Sequence, residues 1–413
     1  MLKYWLYLWA GAMLLGLIGV GERLWFGHRL ANYGSYVTWG LWVAMYIYFI
    51  GLSAGAFLLS SLIYVFRVER LERVGKLSLL LALITLVMAL LSIWFDLGHM
   101  GRVWRVYLTP NFSSMMAWMV WLYTAYFLLV VAEFWLAVRP DLVRWAERPG
   151  VAGRLAGALQ LGYRDLGAAA LRRDHQLLRI LGTVGVPLAI AFHGGVGALF
   201  GVVGARPYWH SAMYPILFLI GALASGGALL TATVAFFWPE RGTRDHQQLV
   251  SLLGRMTLGL LLFDLLLEWA EVSITLWGSI PSHVGPLRLL LFGPYWWVFW
   301  IVHLLFGALI PIALLAARTQ SVRWIGIAAT LIAVTFLSVR LNIVIPALAV
   351  PELEGLRRAY VDARLSFEYF PSLQEWLLGV FVVALGVALF YLGTRHLPIF
   401  AEGDYPRMEE AQP

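Results

Sequence analysis

The run "LSLLLALITLVMALLSIWF" (residues 77–95) and the stretch "DLGHMGRVWR" that follows it (residues 96–105) decide the fold class. An α-helix rises about 1.5 Å per residue, so the first stretch is long enough to cross a hydrocarbon core about 30 Å thick. The second stretch holds an acid, an imidazole and two guanidinium groups, which favour the membrane surface over its interior. The sequence therefore predicts a helix that leaves a bilayer at Asp96.

The composition of the whole chain is also typical of a membrane protein. Of its 413 residues, 61% are hydrophobic and 13% are charged, with a mean hydropathy of +0.78. These values lie far from the usual balance of a soluble domain. We therefore predict an all-α integral membrane protein in contact with membrane lipid.

Two further features of the composition exclude classes of chemistry. The chain has no cysteine, so it forms no disulfide and cannot by itself ligate an iron–sulfur cluster or a cysteine-bound zinc. Its net charge of +7 lies in short loops between apolar segments rather than in one aromatic-laced patch, which argues against a nucleic-acid partner.

Ten apolar runs are long enough to span a membrane. They cover residues 4–20, 37–66, 76–95, 115–138, 178–202, 212–238, 249–277, 295–317, 323–347 and 374–393. No small-residue cleavage site follows the first run, so we expect it to remain as a membrane helix. The last run begins with a capping box, Ser372 and Glu375 in "PSLQEW".

Ten crossings place both termini on one side, and the basic residues indicate which. The loops on that side contain Arg67, Arg70, Arg73, Lys76, the basic stretch 139–179, Arg241, Arg244, Arg318 and Arg323. The opposite loops hold about half as many, so the positive-inside rule predicts that both termini are cytoplasmic. Asp96 then lies at the outer side. Within the basic cytoplasmic loop at 139–177, the pattern "AGRLAGALQLGYRDLGAAALRR" predicts an amphipathic helix on the membrane surface.

An internal repeat divides the chain. The segments "FIGLSAGAFLL" (49–59) and "IGALASGGALL" (220–230) both hold small residues that allow close helix contact. We predict two related four-helix bundles with one flanking helix at each end. The four parts are 1–36 with the first helix and an outer loop, 37–202 with the first bundle and the basic loop, 203–347 with the second bundle, and 348–413 with an outer loop, the last helix and a cytoplasmic tail.

Polar residues at the outer end of the third helix have two interpretations. Asp96, His99 and Arg102 are spaced about one turn apart. They form either a solvated helix end with an ion pair or a site where a ligand at the membrane edge exchanges protons. Histidine has the suitable pKa for such an exchange, and an aspartate can orient it.

The seventh helix carries three acids on one face. Asp264, Glu268 and Glu271 follow at i, i+4 and i+7, and we expect Arg340 of the ninth helix to pair with Glu268 or Glu271. The surplus of acids leaves open whether this face is a hydrated proton path or a structural ion pair. On the cytoplasmic side, Glu133 is the main candidate for such a path.

Two histidines lie within the outer halves of their helices. His193 and His303 are candidate axial ligands of a haem, but the sequence favours hydrogen-bonded packing residues, because nothing else marks a haem pocket. We predict no metal site. Candidate residues from several helices converge in the same outer half: Tyr46, Asp96, His99, His193, Glu268, Glu271, His303 and Arg340.

Four stretches resemble the NrfD/PsrC family, the membrane subunits of polysulfide-reductase-type complexes. They are "VTWGLWVAMYIYFIGLSAGAFLLSS", "DLGHMGRVWRVYLTPNFSSMMAW", "HGGVGALFG" with "ARPYWHSAMYPILFLIGALASG", and "YFPSLQEWLLGVFVVALGVALFYLGTRHLPIF". The ten-helix length is similar to that of the longer branch, which includes the membrane subunits of hydrogenase-2 and of alternative complex III.

This resemblance implies a quinone-binding subunit of a respiratory oxidoreductase in the bacterial cytoplasmic membrane. The bundle would bind menaquinone or ubiquinone near the outer face without haem, beside a ferredoxin-like iron–sulfur subunit and a further catalytic subunit of molybdopterin or other type. It implies that Asp96 and His99 handle protons. The quinone-binding residues would be Tyr46, Trp39, Asp96, His99, Arg102 and His193.

Two other functions stay open from the sequence. A standalone proton-coupled transporter needs a midplane site built from a broken helix, for which the interruption "GTVGVPLAIAFHGG" (182–195) is the candidate. The second open function is that of a passive membrane anchor, in which the acids of the membrane helices would only form ion pairs.

Overall fold

A computed structural model describes residues 2–66, 69–360, 362 and 364–400. Arg67 and the predicted cytoplasmic tail at 401–413 lie outside these residues. Within the described ranges the regular secondary structure consists of helices, without a strand. The predicted all-α fold class is confirmed.

Among the described residues, ten helices are long and apolar enough to cross a membrane, so the protein is a multi-pass integral membrane protein. We label them α1 (Leu2–Phe26), α2 (Leu41–Phe66), α3 (Gly75–Asp96), α4 (Met115–Trp145), α5 (Ala168–Gly201), α6 (Tyr214–Phe237), α7 (Arg244–Gly278), α8 (Val298–Ala317), α9 (Val322–Leu348) and α10 (Leu373–His396). The first part of α8, Val298–Leu309, is a π-helix. Short helices in the connections are Glu69–Val74, Met100–Arg102, Arg105–Leu108, Val151–Leu159, Pro207–Trp209, Pro281–Leu291 and Leu356–Ala359.

The predicted capping box at the start of α10 is confirmed. The Ser372 hydroxyl accepts a hydrogen bond from the Glu375 backbone N–H, and the Glu375 carboxylate accepts one from the Ser372 N–H at 2.9 Å. Two amides that have no partner within the helix are thereby satisfied.

The prediction for residues 139–177 is wrong at both ends. Helix α4 continues to Trp145 and α5 already begins at Ala168. Arg139 is wholly buried and pairs with Asp174 of α5, so this basic residue belongs to the bundle and not to a loop. The predicted surface helix is limited to Val151–Leu159, because Leu161 and Gly162 adopt the left-handed φ values of 53° and 78°.

Helix α2 lies at the centre of the molecule. It packs against α3, α5, α6 and α9, while α1 packs against α10. The two repeat segments meet where α2 crosses α6: a Cβ on Gly55 would lie 1.9 Å from the Ala222 carbonyl oxygen, and one on Gly226 would lie 2.6 Å from the Gly55 Cα. The predicted close contact through small residues is confirmed. The division into bundles at 37–202 and 203–347 stays a prediction.

Candidate functional site

The end of α3 is tied to α1 by a buried arginine. Arg23 donates from Nε to the Phe95 carbonyl and from Nη2 to the Leu97 carbonyl, both at 2.7 Å. Carbonyls at the C-terminus of a helix have no partner within it and carry partial negative charge, which a guanidinium satisfies. The backbone that enters the "DLGHMGR" turn is therefore fixed. We call this end of the molecule the Asp96 end.

An open cleft of about 700 Å³ lies between the last turn of α1 and this turn. Its volume is within the range of about 300–1,000 Å³ found for small-molecule sites. Hydrogen-bond donors and apolar side chains both line it: Arg23, Leu24, Trp25, Phe26, Gly27, Arg29, Gly98, His99, Met100, Gly101 and Arg102. The cleft suits a ligand with a polar head and an apolar tail.

Asp96 comes two residues before the turn that lines the cleft and interacts electrostatically with the cleft-lining Arg23. Its Oδ1 atom is buried and has no hydrogen-bond partner among the described residues. Such a group is rare, because a buried polar atom normally has a partner. Tyr33 lies beside it: burial, with added contributions from Asp96 and Glu375, raises the pKa of the Tyr33 phenol above its ordinary value. The Asp96 carboxylate thus has unused acceptor capacity.

His28 lies in the loop between α1 and α2, near Arg23. Its ring packs edge-on against Tyr33 with 5.3 Å between centroids. Burial, followed by the nearby Arg23 guanidinium, lowers the pKa of His28 to about 4. The imidazole is therefore neutral at pH 7, and the fixed positive charge around the cleft comes from arginines.

Glu375 closes the same region from α10. Besides its capping role, its carboxylate accepts hydrogen bonds from the Tyr369 hydroxyl at 2.5 Å and from the Asn32 N–H at 3.1 Å. The Leu41 N–H, at the start of α2, donates to Tyr369 at 2.7 Å. Of these contacts, only the capping box could be found from the sequence, since Asn32 and Leu41 are more than 300 residues away along the chain.

Three predicted quinone-binding residues lie away from the cleft. The Tyr46 hydroxyl is hydrogen-bonded to that of Tyr123 in the interior. Trp39 is stacked on Trp209 with 5.5 Å between ring centroids, and His193 is wholly buried in α5. The structure brings His99 and Arg102 together at the cleft, whereas a contact of the other three with a quinone stays a prediction.

The acids of α7 find partners other than the predicted one. Nε2 of His303 lies 2.8 Å from the Glu268 carboxylate, and the Ser211 hydroxyl donates to Glu271 at 3.0 Å. No salt bridge joins Arg340 to Glu268 or Glu271 in the described part of the chain, but Glu268 interacts with it electrostatically, so the expected pairing stays a prediction. The Arg340 guanidinium lies between aromatic rings of α6 and α9, and the buried Asp264 is the acid with the strongest electrostatic interaction with it.

The partner of Glu268 belongs to the π-helical part of α8. This part contains His303, and an extra residue per turn shifts side chains around the helix axis, a feature frequent at functional sites. No pattern in the sequence signals it.

Glu133 lies deep in α4, towards the opposite end. It is wholly buried, and both carboxylate oxygens lack a hydrogen-bond partner in the described part of the chain. Tyr126, two turns earlier on the same helix, interacts with it electrostatically. No group of three or more metal-ligating side chains lies together among the described residues.

Comparison with known proteins gives a consistent result. Residues 30–352 match the family described as polysulphide reductase, NrfD. The chain is 37% identical to a selenate reductase subunit of Mesobacillus selenatarsenatis, over 94% of this chain and 92% of that protein. It is 27% identical to the Hdr-like menaquinol oxidoreductase integral membrane subunit of Archaeoglobus fulgidus, over 89% and 86%. Its identity to the menaquinone reductase integral membrane subunit of Nitratidesulfovibrio vulgaris is 23%, over 91% and 86%. The chain therefore belongs to the polysulphide reductase NrfD family.

Proposed function

We propose that this protein is the quinone-reactive membrane subunit of a multi-subunit respiratory oxidoreductase. The observation that carries the proposal is the cleft at the Asp96 end, which combines hydrogen-bond donors from both of its walls with the exposed Trp25 and Phe26 of α1. One relative is described as a menaquinol oxidoreductase membrane subunit and another as a menaquinone reductase membrane subunit, which supports menaquinone as the ligand, with ubiquinone as the alternative.

The residues of the cleft fit a quinone. A bound quinone supplies exchange of two electrons and two protons. His99 and Arg102 offer N–H donors to a head-group oxygen, and the unpartnered Oδ1 of Asp96 is suited to hold or release a proton behind them. Arg23 keeps the turn in place through its two backbone hydrogen bonds. Leu24, Trp25 and Phe26 at the end of α1 are exposed, so a prenyl tail would extend along their apolar side chains.

A partner subunit must exchange the electrons in this proposal, since the chain has no cysteine for an iron–sulfur cluster. We propose a ferredoxin-like iron–sulfur subunit on the outer face beside the cleft, with a catalytic subunit beyond it. The exposed His99, Arg102 and Arg105 would lie at that contact. The orientation follows from the basic loops: both termini cytoplasmic, in a bacterial cytoplasmic membrane.

The experiment is purification from native membranes in mild detergent, followed by mass spectrometry and labelling with a photoreactive menaquinone analogue. We expect a cysteine-rich ferredoxin-like subunit to copurify, and the label to react with peptides covering residues 23–29 and 98–102. Recovery of a stable chain without partners would contradict the complex. Label confined to other peptides would contradict the site.

A proton path along α7 is a second candidate function. The observation that favours it is the hydrogen bond between His303 and Glu268 next to the buried Asp264, because ionisable groups within a membrane are costly unless they serve a function or are paired. Glu271 and Arg340 extend this group towards the Asp96 end, and Glu133 is the candidate towards the opposite end. Glu268→Gln in a reconstituted complex should reduce proton movement per electron and preserve quinone-dependent electron transfer; an unchanged ratio would contradict the path.

A further inference from the structure

Arg340 lies in the interior with one edge of its guanidinium unused. The residue is 2% exposed, and neither Nε nor Nη2 has a hydrogen-bond partner among the described residues. Its flat faces are covered: the guanidinium carbon lies 4.4 Å from the Phe218 ring centroid and 5.2 Å from that of Phe336. The aromatic rings satisfy the faces of the cation but accept nothing from the donors in its plane.

The unused edge has a specific donor geometry. The N–H groups on Nε and Nη2 run parallel, which is the fork that binds oxygen acceptors side by side. Arginine stays charged in proteins, so these donors cannot be removed by deprotonation. Leaving both unsatisfied in a low-dielectric interior would be strongly unfavourable. An oxygen acceptor is therefore required at this edge.

A second unpartnered group lies on the other side of the same space. His193 is wholly buried, and neither ring nitrogen makes a hydrogen bond within the described residues. The Phe218 carbonyl lies near one ring nitrogen, which leaves the other without a partner among the described residues. A neutral imidazole has one donor and one acceptor nitrogen, so His193 also requires a partner.

Gly51 of α2 forms the floor between these two side chains. A Cβ built on Gly51 would lie 3.6 Å from Arg340 Nη2 and 3.6 Å from His193 Cε1. The two side chains thus approach the same point beside Gly51, close enough to each other for a bridging water to reach both.

We propose that ordered water binds beside Gly51, between the Nε/Nη2 edge of Arg340 and the ring of His193. The choice of water over an anion follows from charge: Asp264 and Glu268 already interact electrostatically with Arg340, and a further anion would be repelled by them. A buried water typically makes two to four hydrogen bonds to protein groups, and Nε, Nη2 and a His193 nitrogen supply three.

The site joins the two halves of the molecule. His193 and Gly51 belong to α5 and α2, whereas Arg340 and Asp264 belong to α9 and α7. The bound water therefore completes a polar link from the half that contains α2 to the acids of α7. Its role in proton movement rests on the proposed function, but its existence does not.

The direct test is a cryo-electron-microscopy map of the intact complex at a resolution that shows ordered water. We expect density within hydrogen-bonding distance of Arg340 Nε and Nη2 and of His193, and its loss in Gly51→Ala. That variant should fold, because 3.6 Å is an ordinary contact distance. Gly227→Ala is the matched control: its Cβ also meets its nearest atom at 3.6 Å, but that atom is Leu59 Cδ1, and the water density should remain. An empty site in the wild type, a density that persists in Gly51→Ala, or a chloride-dependent peak would overturn the proposal.

The functional test uses the same variants in proteoliposomes. Gly51→Ala should lower proton movement per electron by at least about twofold, while Gly227→Ala should match the wild type, since the substitution deletes a hydrogen-bonded link that the control leaves in place. An unchanged ratio in Gly51→Ala, or a wild type that transfers electrons without moving protons, would overturn the coupling role. If the wild-type complex shows no quinone-dependent electron transfer, that result would instead count against the proposed quinone function.

Discussion

Nε2 of His303 lies 2.8 Å from Oε2 of Glu268, which joins the π-helical part of α8 to the middle of α7. His303 is 8% exposed at its side chain and Glu268 22%. A pair of this kind in a membrane interior fixes the rotation of two helices relative to each other, because either group alone would be left without its partner.

Removal of one partner should therefore destabilise the protein more than removal of both. Breaking a buried pair on one side costs about 3–5 kcal/mol, and we expect His303→Leu to approach the lower end, because Glu268 remains partly exposed. The variant His303→Leu/Glu268→Leu should recover at least half of that loss. Thermal unfolding of purified His303→Leu, Glu268→Leu and the double variant measures this, and additive losses would show that the two side chains act independently.

Asp96→Asn should reduce electron transfer between quinone and the partner subunit by at least about 100-fold, the lower range for loss of a general acid or base. The amide retains the size of the side chain but cannot exchange a proton. Turnover with a menaquinol analogue measures the effect, and copurification of the partner confirms assembly. Asp245→Asn, exposed at the opposite end, is the control; normal turnover in Asp96→Asn would refute the role of this carboxylate.

Arg102→Gln should raise the KM for quinol about fivefold to tenfold with a smaller change in kcat. Arg102 lines the cleft, and a hydrogen bond from a charged donor is worth about 1.5–3 kcal/mol, less where water competes. Arg105 is equally exposed and three residues away but does not line the cleft, so Arg105→Gln is the matched control. Equal effects of the two substitutions would indicate a general loss of positive charge rather than a contact.

Much of the fold could be predicted from the sequence, because span length and apolar composition are local properties. The ten helices and the capping box of α10 were found in this way. The helix ends that are buried by ion pairs between helices could not be predicted. The charge of Arg139 is typical of a loop residue, and its partner Asp174 lies in another helix. The small-residue segments predicted close contact, though not that Gly55 and Gly226 would meet each other.

The candidate site was predicted only where its residues are adjacent in sequence. His99 and Arg102 line the cleft as part of one turn, but the contribution of Arg23 comes from α1, 72 residues before its acceptor Phe95. The partner of Glu268 depends on the π-helix of α8, which no local pattern indicates. Which side chains pair across helices depends on how the helices pack, and the hydropathy pattern does not determine that packing.

Stability of the Asp96 end should fall as the pH is lowered from about 6.5 towards 4. The pKa of His28 is lowered from 6.5 to about 4 in the folded protein, mainly by burial. Between these values the unfolded chain binds a proton that the folded protein does not, so acid favours unfolding; above pH 6.5 this contribution is constant. The midpoint of thermal unfolding measured against pH should show the slope, and His28→Gln should flatten it. The same slope in His28→Gln would assign it to another group.

Glu375→Ala should lower the free energy of unfolding by about 3 kcal/mol, since several donors lose their acceptor and each buried unsatisfied group costs about 1–3 kcal/mol. The Tyr369 hydroxyl and the Asn32 and Ser372 amides all donate to this carboxylate, so the loop before α2 and the start of α10 should loosen together. Hydrogen–deuterium exchange should therefore increase at residues 30–41 as well as at 372–376. Glu368→Ala removes an exposed acid from the same loop and should change stability by less than about 0.5 kcal/mol. Faster exchange confined to 372–376 would mean that Glu375 acts only as a helix cap and does not hold α2 and α10 together.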